Sequence, residues 1–341
     1  MPVMLPFAFA SLLPAALLLL ASAFGGIWPA LAAISITVMV FVLDRRTGDD
    51  WAKPRDASGH ILSATIGIVH FVVLAACVQA LAQGDHLSIL DKLLVFTAAG
   101  LWLGQISNSN AHELIHRSSR APRSLGIAVY SSLLFGHHAS AHPKVHHVHA
   151  ATDRDPNSAR AGEGFYRYLL RAWGGGFVAG WQAENAIRAR RTPPLPAWRH
   201  PYVAYVGGAL ATIAIAALLA GSSGIIALLG LAAYAQIQLL LSDYVQHYGL
   251  RRRIDDTGRT EPVGPQHSWN APHWYSSAMM LNAPRHSDHH MHPARSFPAL
   301  ELSAENMPIL PHSLPVMACL ALVPGLWRKV MDRRVAKWTT K

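Results

Sequence analysis

Long apolar runs alternate with short polar breaks along this chain, and six of the runs approach the ~20 residues a helix needs to cross a bilayer. They cover residues 5–24, 27–43, 61–83, 89–109, 202–220 and 225–245. The breaks inside successive pairs are brief: Gly25-Gly26, Gln83 to Ser88, and Gly221 to Gly224. That rhythm predicts an all-α integral membrane protein with six transmembrane helices, forming one domain over residues 1–341. No basic stretch precedes the first run and a second run follows at once, which suits a membrane helix better than a cleaved signal. Two weaker apolar stretches are too short to cross. Ser124 to Gly136 lies in the interface or dips in and returns, and Pro311 to Trp327, interrupted by two prolines, caps the bundle end. The run "TPPLPAW", Thr192 to Trp198, is a stiff bend that returns the chain to the membrane.

Composition supports the same class. The 341 residues are 51% apolar and only 14% charged, well short of the roughly one quarter charged residues of a soluble domain. The net charge of +10 does not mark a nucleic-acid binder, because the basic residues lie between apolar runs and form no patch interleaved with surface aromatics. Of the 29 Lys and Arg residues, 28 fall on one side of the six runs, Arg45, Arg46, Lys53 and Arg55 among them, and only Lys92 falls on the other. The positive-inside rule makes that side cytoplasmic, with both termini and the segments 110–201 and 246–341. Cys77 and Cys319, the only two cysteines, lie inside apolar runs and read as buried hydrophobes. Any redox centre held by cysteines must therefore belong to another protein.

Twenty histidines are the anomaly, and they cluster. The groups are His112 and His116 in "HELIHR", His142, His146 and His147 in "AHPKVHH", the single His247 in "DYVQHYGL", and His286, His289 and His290 in "RHSDHHMHP". Spacings of three and four place the imidazoles of each group on one helical face. All four groups fall on the basic side of the membrane runs. Nine histidines exceed what one metal uses, whereas two metals with four or five imidazoles each use all nine. HELIH alone also fits a zinc protease, which needs one further ligand and has no use for seven more histidines. Glu113, Asp155, Asp243 and Asp288 are candidates to orient imidazole N–H groups, and His267 and Asn270 in "HSWN" are weaker ones. His60, His70, His86, His200 and His312 read as interfacial or hydrogen-bonded residues. His137, His138, His149, His273 and His292 flank the clusters but miss the spacing.

These motifs, together with "AHPKVHHVHAATDRDPNSAR" and "PQHSWNAPHWYSSAMMLNAPRHSDHHMHP", resemble the membrane-bound alkane 1-monooxygenases, within the wider group of integral-membrane fatty acid desaturases and hydroxylases. The likeness runs from about Leu101 to Trp327. It implies two iron ions on the nine histidines, O2 and an apolar hydrocarbon as substrates, and a primary alcohol made from a terminal C–H bond of a medium-chain alkane. It also implies a bacterial inner membrane and an external electron donor, a rubredoxin or a ferredoxin-type protein with its NAD(P)H reductase. Ala141 and Gln246 stand where the family usually has Glu. Xylene monooxygenases share most of the motifs, so an aromatic methyl substrate is the alternative, and a desaturase shares the metal site. A His-rich metal transporter would need polar residues inside the spans, which are nearly free of them. Stepping back from His112 by helical turns, Leu101, Gly104 and Asn108 are expected to line the substrate's approach.

Overall fold

The computed structural model describes residues 3–45 and 58–339, so Arg46, Lys53, Arg55 and Lys341 lie outside the described residues. Among the described residues the chain is helical, with two isolated β-bridges and no strand. Helix α1 (Leu5–Phe24) starts with a proline in its first turn, where no intrahelical N–H is needed, and stops at Gly25, whose φ of 61° only glycine adopts cheaply. After α2 (Trp28–Ile36) comes α3 (Val38–Leu43), so the second apolar run is two helices broken at Thr37, with φ −120° and ψ −81°. Then follow α4 (His60–Gln83) and α5 (Ile89–Leu101). A capping box opens α5: the Asp91 N–H donates to Ser88 Oγ at 3.1 Å while the Ser88 N–H donates to Asp91 Oδ2 at 3.0 Å.

The fourth run does not end near residue 109. It passes through a π-helical turn at Trp102–Ser107 into α6 (Asn108–Ile115), carrying the helix straight into the histidines. The fifth and sixth runs are one 47-residue stretch, α11 (Pro201–His247), bent at Ala220 and at Gly221, where φ is 60°. Among the described residues four helical stretches are long and apolar enough to cross a membrane: Leu5–Phe24, His60–Gln83, Ile89–Ile115 and Pro201–His247. Helix α1 packs on α2 and α4, and α4 in turn on α5 and α11. Gly100 and Gly104 bring α11 close; a Cβ on Gly100 would fall 1.6 Å from the Tyr234 ring. His70, buried in α4, bridges Ser107 and Ser132 at 2.7 Å each and so ties α4 to the π turn and to α7 (Arg120–Ser132).

Short elements follow: α8 (His138–Ala141), a second π turn at His142–His146, and α9 (His147–His149). Helix α10 (Phe165–Ala189) lies in a stretch that contains no uninterrupted apolar run, because arginines and glycines divide its hydrophobic residues. Beyond α11, α12 (Trp274–Met279) and α13 (His286–Met291) carry the last motif. The apolar stretch around Pro311 to Trp327 resolves into α14 (Leu314–Ala321) and α15 (Pro324–Thr339), with Leu314, Met317, Ala321 and Trp327 buried.

Replacing Gly100 by Ala must displace the Tyr234 ring from its stack on Phe96, and overpacking of this kind costs roughly 1–3 kcal/mol. The unfolding midpoint in detergent should fall. An unchanged midpoint would show that the ring swings aside freely.

Candidate metal centre

The nine clustered histidines meet at the polar end of the bundle in two groups. Within each, the available ring nitrogens lie within 4.8 Å of one another: His112, His116, His142, His147 and His289 in one, His146, His247, His286 and His290 in the other. Local helix geometry sorts them. An α-helix would put His142 and His146 on one face, but Pro143 has no N–H for the regular ladder and the turn opens to π geometry. The wide turn sets His142 beside His147, five residues on, with Nε2 atoms 3.0 Å apart, and sends His146 to the other group. In α13 ordinary α geometry pairs His286 with His290 at 3.1 Å, while His289 points to the first group and meets His147 at 3.0 Å. The expectation that each motif shares one face therefore fails for two motifs. Each of those segments serves both groups.

The contacts suit cations better than hydrogen bonds. The Nε2 atoms of His247, His286 and His290 form a triangle with edges of 2.9, 3.1 and 3.2 Å. A ring nitrogen carries either a proton or a lone pair, so a triangle of three cannot be satisfied by protons alone. Nitrogens about 2.1 Å from one ion sit about 3 Å apart when they occupy adjacent positions. The Nε2 atoms of His116 and His146 are buried without any partner. Burial first, and neighbouring imidazoles second, hold His142, His147, His289 and His290 well below the ordinary imidazole value, so they are neutral and ready to donate. The arrangement can hold two metal ions.

The carboxylates behave differently from one another. Asp155, almost wholly buried, accepts from His146 Nδ1 at 2.8 Å, from Ser158 Oγ at 2.7 Å and from the Asn157 N–H at 3.0 Å. Burial alone would lower the affinity of His146 for protons, but the Asp155 carboxylate outweighs it and raises that affinity. The proton is thus fixed on Nδ1 and Nε2 faces the second group. Ser158 and Asn157, in "DPNS", are readable only as turn chemistry. Asp243 accepts from Asn157 Nδ2 at 2.7 Å. Glu113 pairs with Arg117 and accepts the Phe297 N–H, and Asp288 binds His292, Arg295 and the Glu301 N–H. Neither of these two carboxylates bonds to one of the nine imidazoles. Asn270 holds the α13 segment through Ser287, accepting its N–H at 2.9 Å and donating to its Oγ at 2.8 Å. His267 instead faces Glu261 at 3.0 Å.

A cavity of about 50 Å³ adjoins both groups, bounded by His112, His142 and His286. Gly104 and Asn108 line it, and Leu101 does not. The intervening π turn adds residues to the helical repeat, so positions counted back by ordinary turns drift off the cavity face. Tyr130, His138, Ser242, Met280 and Leu314 line it too, and no spacing rule connects them to the histidines. The His138 ring lies tilted with its centre 5.0 Å from that of His142, and Gln246 donates to Ala283 O at 3.1 Å.

The fatty acid desaturase family model matches residues 89–320, which span α5 to α14 and contain all nine histidines. The chain belongs to the fatty acid desaturase family and, within it, to the alkane 1-monooxygenases. It is 32% identical over 304 residues to alkane 1-monooxygenase 2 of Alcanivorax borkumensis, covering 86% of this chain and 79% of that one. To alkane 1-monooxygenase 2 of Pseudomonas aeruginosa it is 29% identical over 326 residues, 93% and 86% of the two chains. The hydroxylase component of xylene/toluene monooxygenase of Pseudomonas putida is 25% identical over 322 residues, 89% of this chain and 81% of that one. The protein is thus a membrane oxidoreductase of the hydroxylating kind.

Replacing Asp155 by Asn keeps the shape but frees the His146 tautomer. Loss of such a partner typically costs 10–100-fold in metal affinity, whereas Glu113→Gln, whose carboxylate bonds to Arg117 and the Phe297 N–H and to no imidazole, should leave affinity unchanged. Competition against a chelator measures both. Equal affinities in the two variants would remove Asp155 from this role.

Proposed function

We propose that this protein is a di-iron hydroxylase that inserts one atom of O2 into a terminal C–H bond of a medium-chain alkane, giving a primary alcohol. The observation that carries the reading is the division of the nine imidazoles into sets of five and four beside one cavity. All nine are taken as ligands. An unactivated C–H bond has no acidic proton, so side-chain acid–base catalysis is useless. The iron pair, with O2 and two electrons per turnover, supplies the oxidation. The chain's own residues hold and shield. Asp155 fixes the His146 tautomer, while Leu239, Met280 and Leu314 give the cavity apolar walls that keep water out and admit a methyl group. We read the shorter apolar pair α2–α3 and the two halves of α11 as crossings that complete six, with the histidines on the cytoplasmic side of a bacterial inner membrane. A second reading rests on the xylene/toluene relative: an aromatic methyl group as substrate.

Anaerobically prepared protein should contain two irons per chain, and membranes supplied with octane should yield 1-octanol. His147→Ala, His247→Ala and His290→Ala should each abolish turnover, while His312→Ala, on the surface, is mild. One metal per chain, or full activity with zinc, would sink the di-iron reading. Turnover of xylene alone would move the substrate to the second reading.

Electrons must come from outside, and we assign their donor, a rubredoxin or ferredoxin-type protein served by an NAD(P)H reductase, to a basic cleft of about 370 Å³ that includes Arg251, Arg252, Arg253 and Trp338. Arg252 links this cleft to the metal region: its N–H donates to Ala151 O at 2.9 Å and its guanidinium to Val148 O at 3.0 Å, beside His147. Attraction between exposed charges is screened within about 8 Å at physiological salt. Donor-limited turnover should therefore fall as salt rises, and Arg251→Gln with Arg253→Gln should raise the donor concentration needed for half-maximal rate. A double variant with the wild-type dependence on donor and salt would place docking elsewhere.

A further inference from the structure

Helix α10 has three kinds of surface, and they are arranged lengthwise. Its inner face, with Phe165, Tyr168, Ala172, Gly176 and Gly180, is buried against the bundle. An exposed stripe runs Tyr166, Leu170, Trp173, Phe177, Trp181, at i, i+4, i+7, i+11 and i+15, with exposures of 42–77%. A third strip beside it is exposed and mixed, with Arg167, Gln182 and Asn185 polar and Val178 apolar. A helix in water has no reason to expose two tryptophans and a phenylalanine on one line.

We propose that α10 is an interfacial helix, its Tyr166–Trp181 stripe seated in the acyl–headgroup boundary of the membrane leaflet on the histidine side. Three hydrogen bonds hold it against the flank of the bundle, where other apolar side chains are also exposed. Tyr166 donates to Leu322 O at 2.9 Å, beside exposed Val323 and Leu326. Trp173 donates to Gln236 Oε1 at 2.8 Å on α11, and Tyr202 donates to Phe177 O at 2.7 Å, beside exposed Val203, Val206 and Leu210. The stripe thus continues an apolar belt formed by α11 and the α14–α15 corner. Indole and phenol rings favour the headgroup level, and Arg188, Arg190 and Arg191 at the end of α10 suit anionic headgroups. A soluble partner or a second copy would match the apolar stripe alone. Lipid matches the stripe, the mixed strip beside it and the basic end together.

The seating bears on the metal region through the inner face. Tyr168 donates to Asn157 O at 3.1 Å and Arg171 to Pro156 O at 2.7 Å, holding the turn whose Asp155 orients His146. Lipid under the stripe therefore supports that turn from the far side of α10.

The test uses the full chain in vesicles of phosphatidylethanolamine and phosphatidylglycerol, on a Cys319→Ser background, since Cys77 is buried. Nitroxide labels on Leu170→Cys, Phe177→Cys and Trp181→Cys should collide several-fold more often with O2 than with a water-soluble nickel chelate, and labels on Arg167→Cys and Gln182→Cys the reverse. Chelate access at every position, or protection from both agents along the stripe, would overturn the proposal; protection would point to a protein partner. An unlabelled arm guards against disturbance by the probe. Brominated acyl chains should quench a larger share of tryptophan emission in wild type than in the Trp173→Phe, Trp181→Phe double variant. Equal quenching would count against lipid contact.

Discussion

Nine imidazoles crowded with their ring nitrogens converging are mutually repulsive, and the packing at the polar end of this bundle holds them so. Among the acidic residues described near them, Asp155 is the one whose carboxylate bonds directly to one of these rings. The remaining compensation comes from packing: Asn270 clamps Ser287, Trp269 donates to Tyr248 O at 2.9 Å beside His247, and His70 clasps the π turn that leads into His112. Each of these contacts lies one to five residues from a ring, and each spans two elements distant in sequence. The rigidity needed to oppose lone-pair repulsion is thus supplied by the bundle, whose apolar interfaces form without regard to the metal.

The large features were legible in the sequence for a simple reason. Apolar runs of bilayer length and histidines at helical spacing are local signals, and α1, α4 and the helix running into His112 follow them closely. What the sequence concealed depends on hydrogen-bond register or on packing. Pro143 marks a disturbed turn, yet nothing local says that the turn widens to pair His142 with His147. The same kind of widening at Trp102–Ser107 moved Leu101 off the cavity while leaving Asn108 on it. Acidic residues were still harder to sort: Asp155 reaches an imidazole and Glu113 does not, although Glu113 sits inside the motif itself. Helix α10 escaped notice because its periodicity serves three environments at once.

The alkane 1-monooxygenase relatives and the xylene/toluene relative differ in the hydrocarbon they are named for, and the cavity shows where such a difference can reside. One wall is built from His112, His142 and His286, which the two histidine groups hold in place. Leu239 on α11, Met280 just past α12 and Leu314 on α14 make no hydrogen bond through their side chains, so their sizes can change independently. Flexible Met280 is suited to adapt its shape to what lies against it.

The partition of the histidines also has a consequence for how the centre assembles. The segments around His142–His147 and His286–His290 each send imidazoles to both groups, while His112 with His116 and His247 serve one group apiece. On the proposed two-iron reading, whichever cation arrived first would immobilise both shared segments, and the ordering entropy of the second group would then be largely met in advance. Metallation would then be positively cooperative: partly loaded preparations would partition into empty and fully occupied molecules, with the half-filled species scarce.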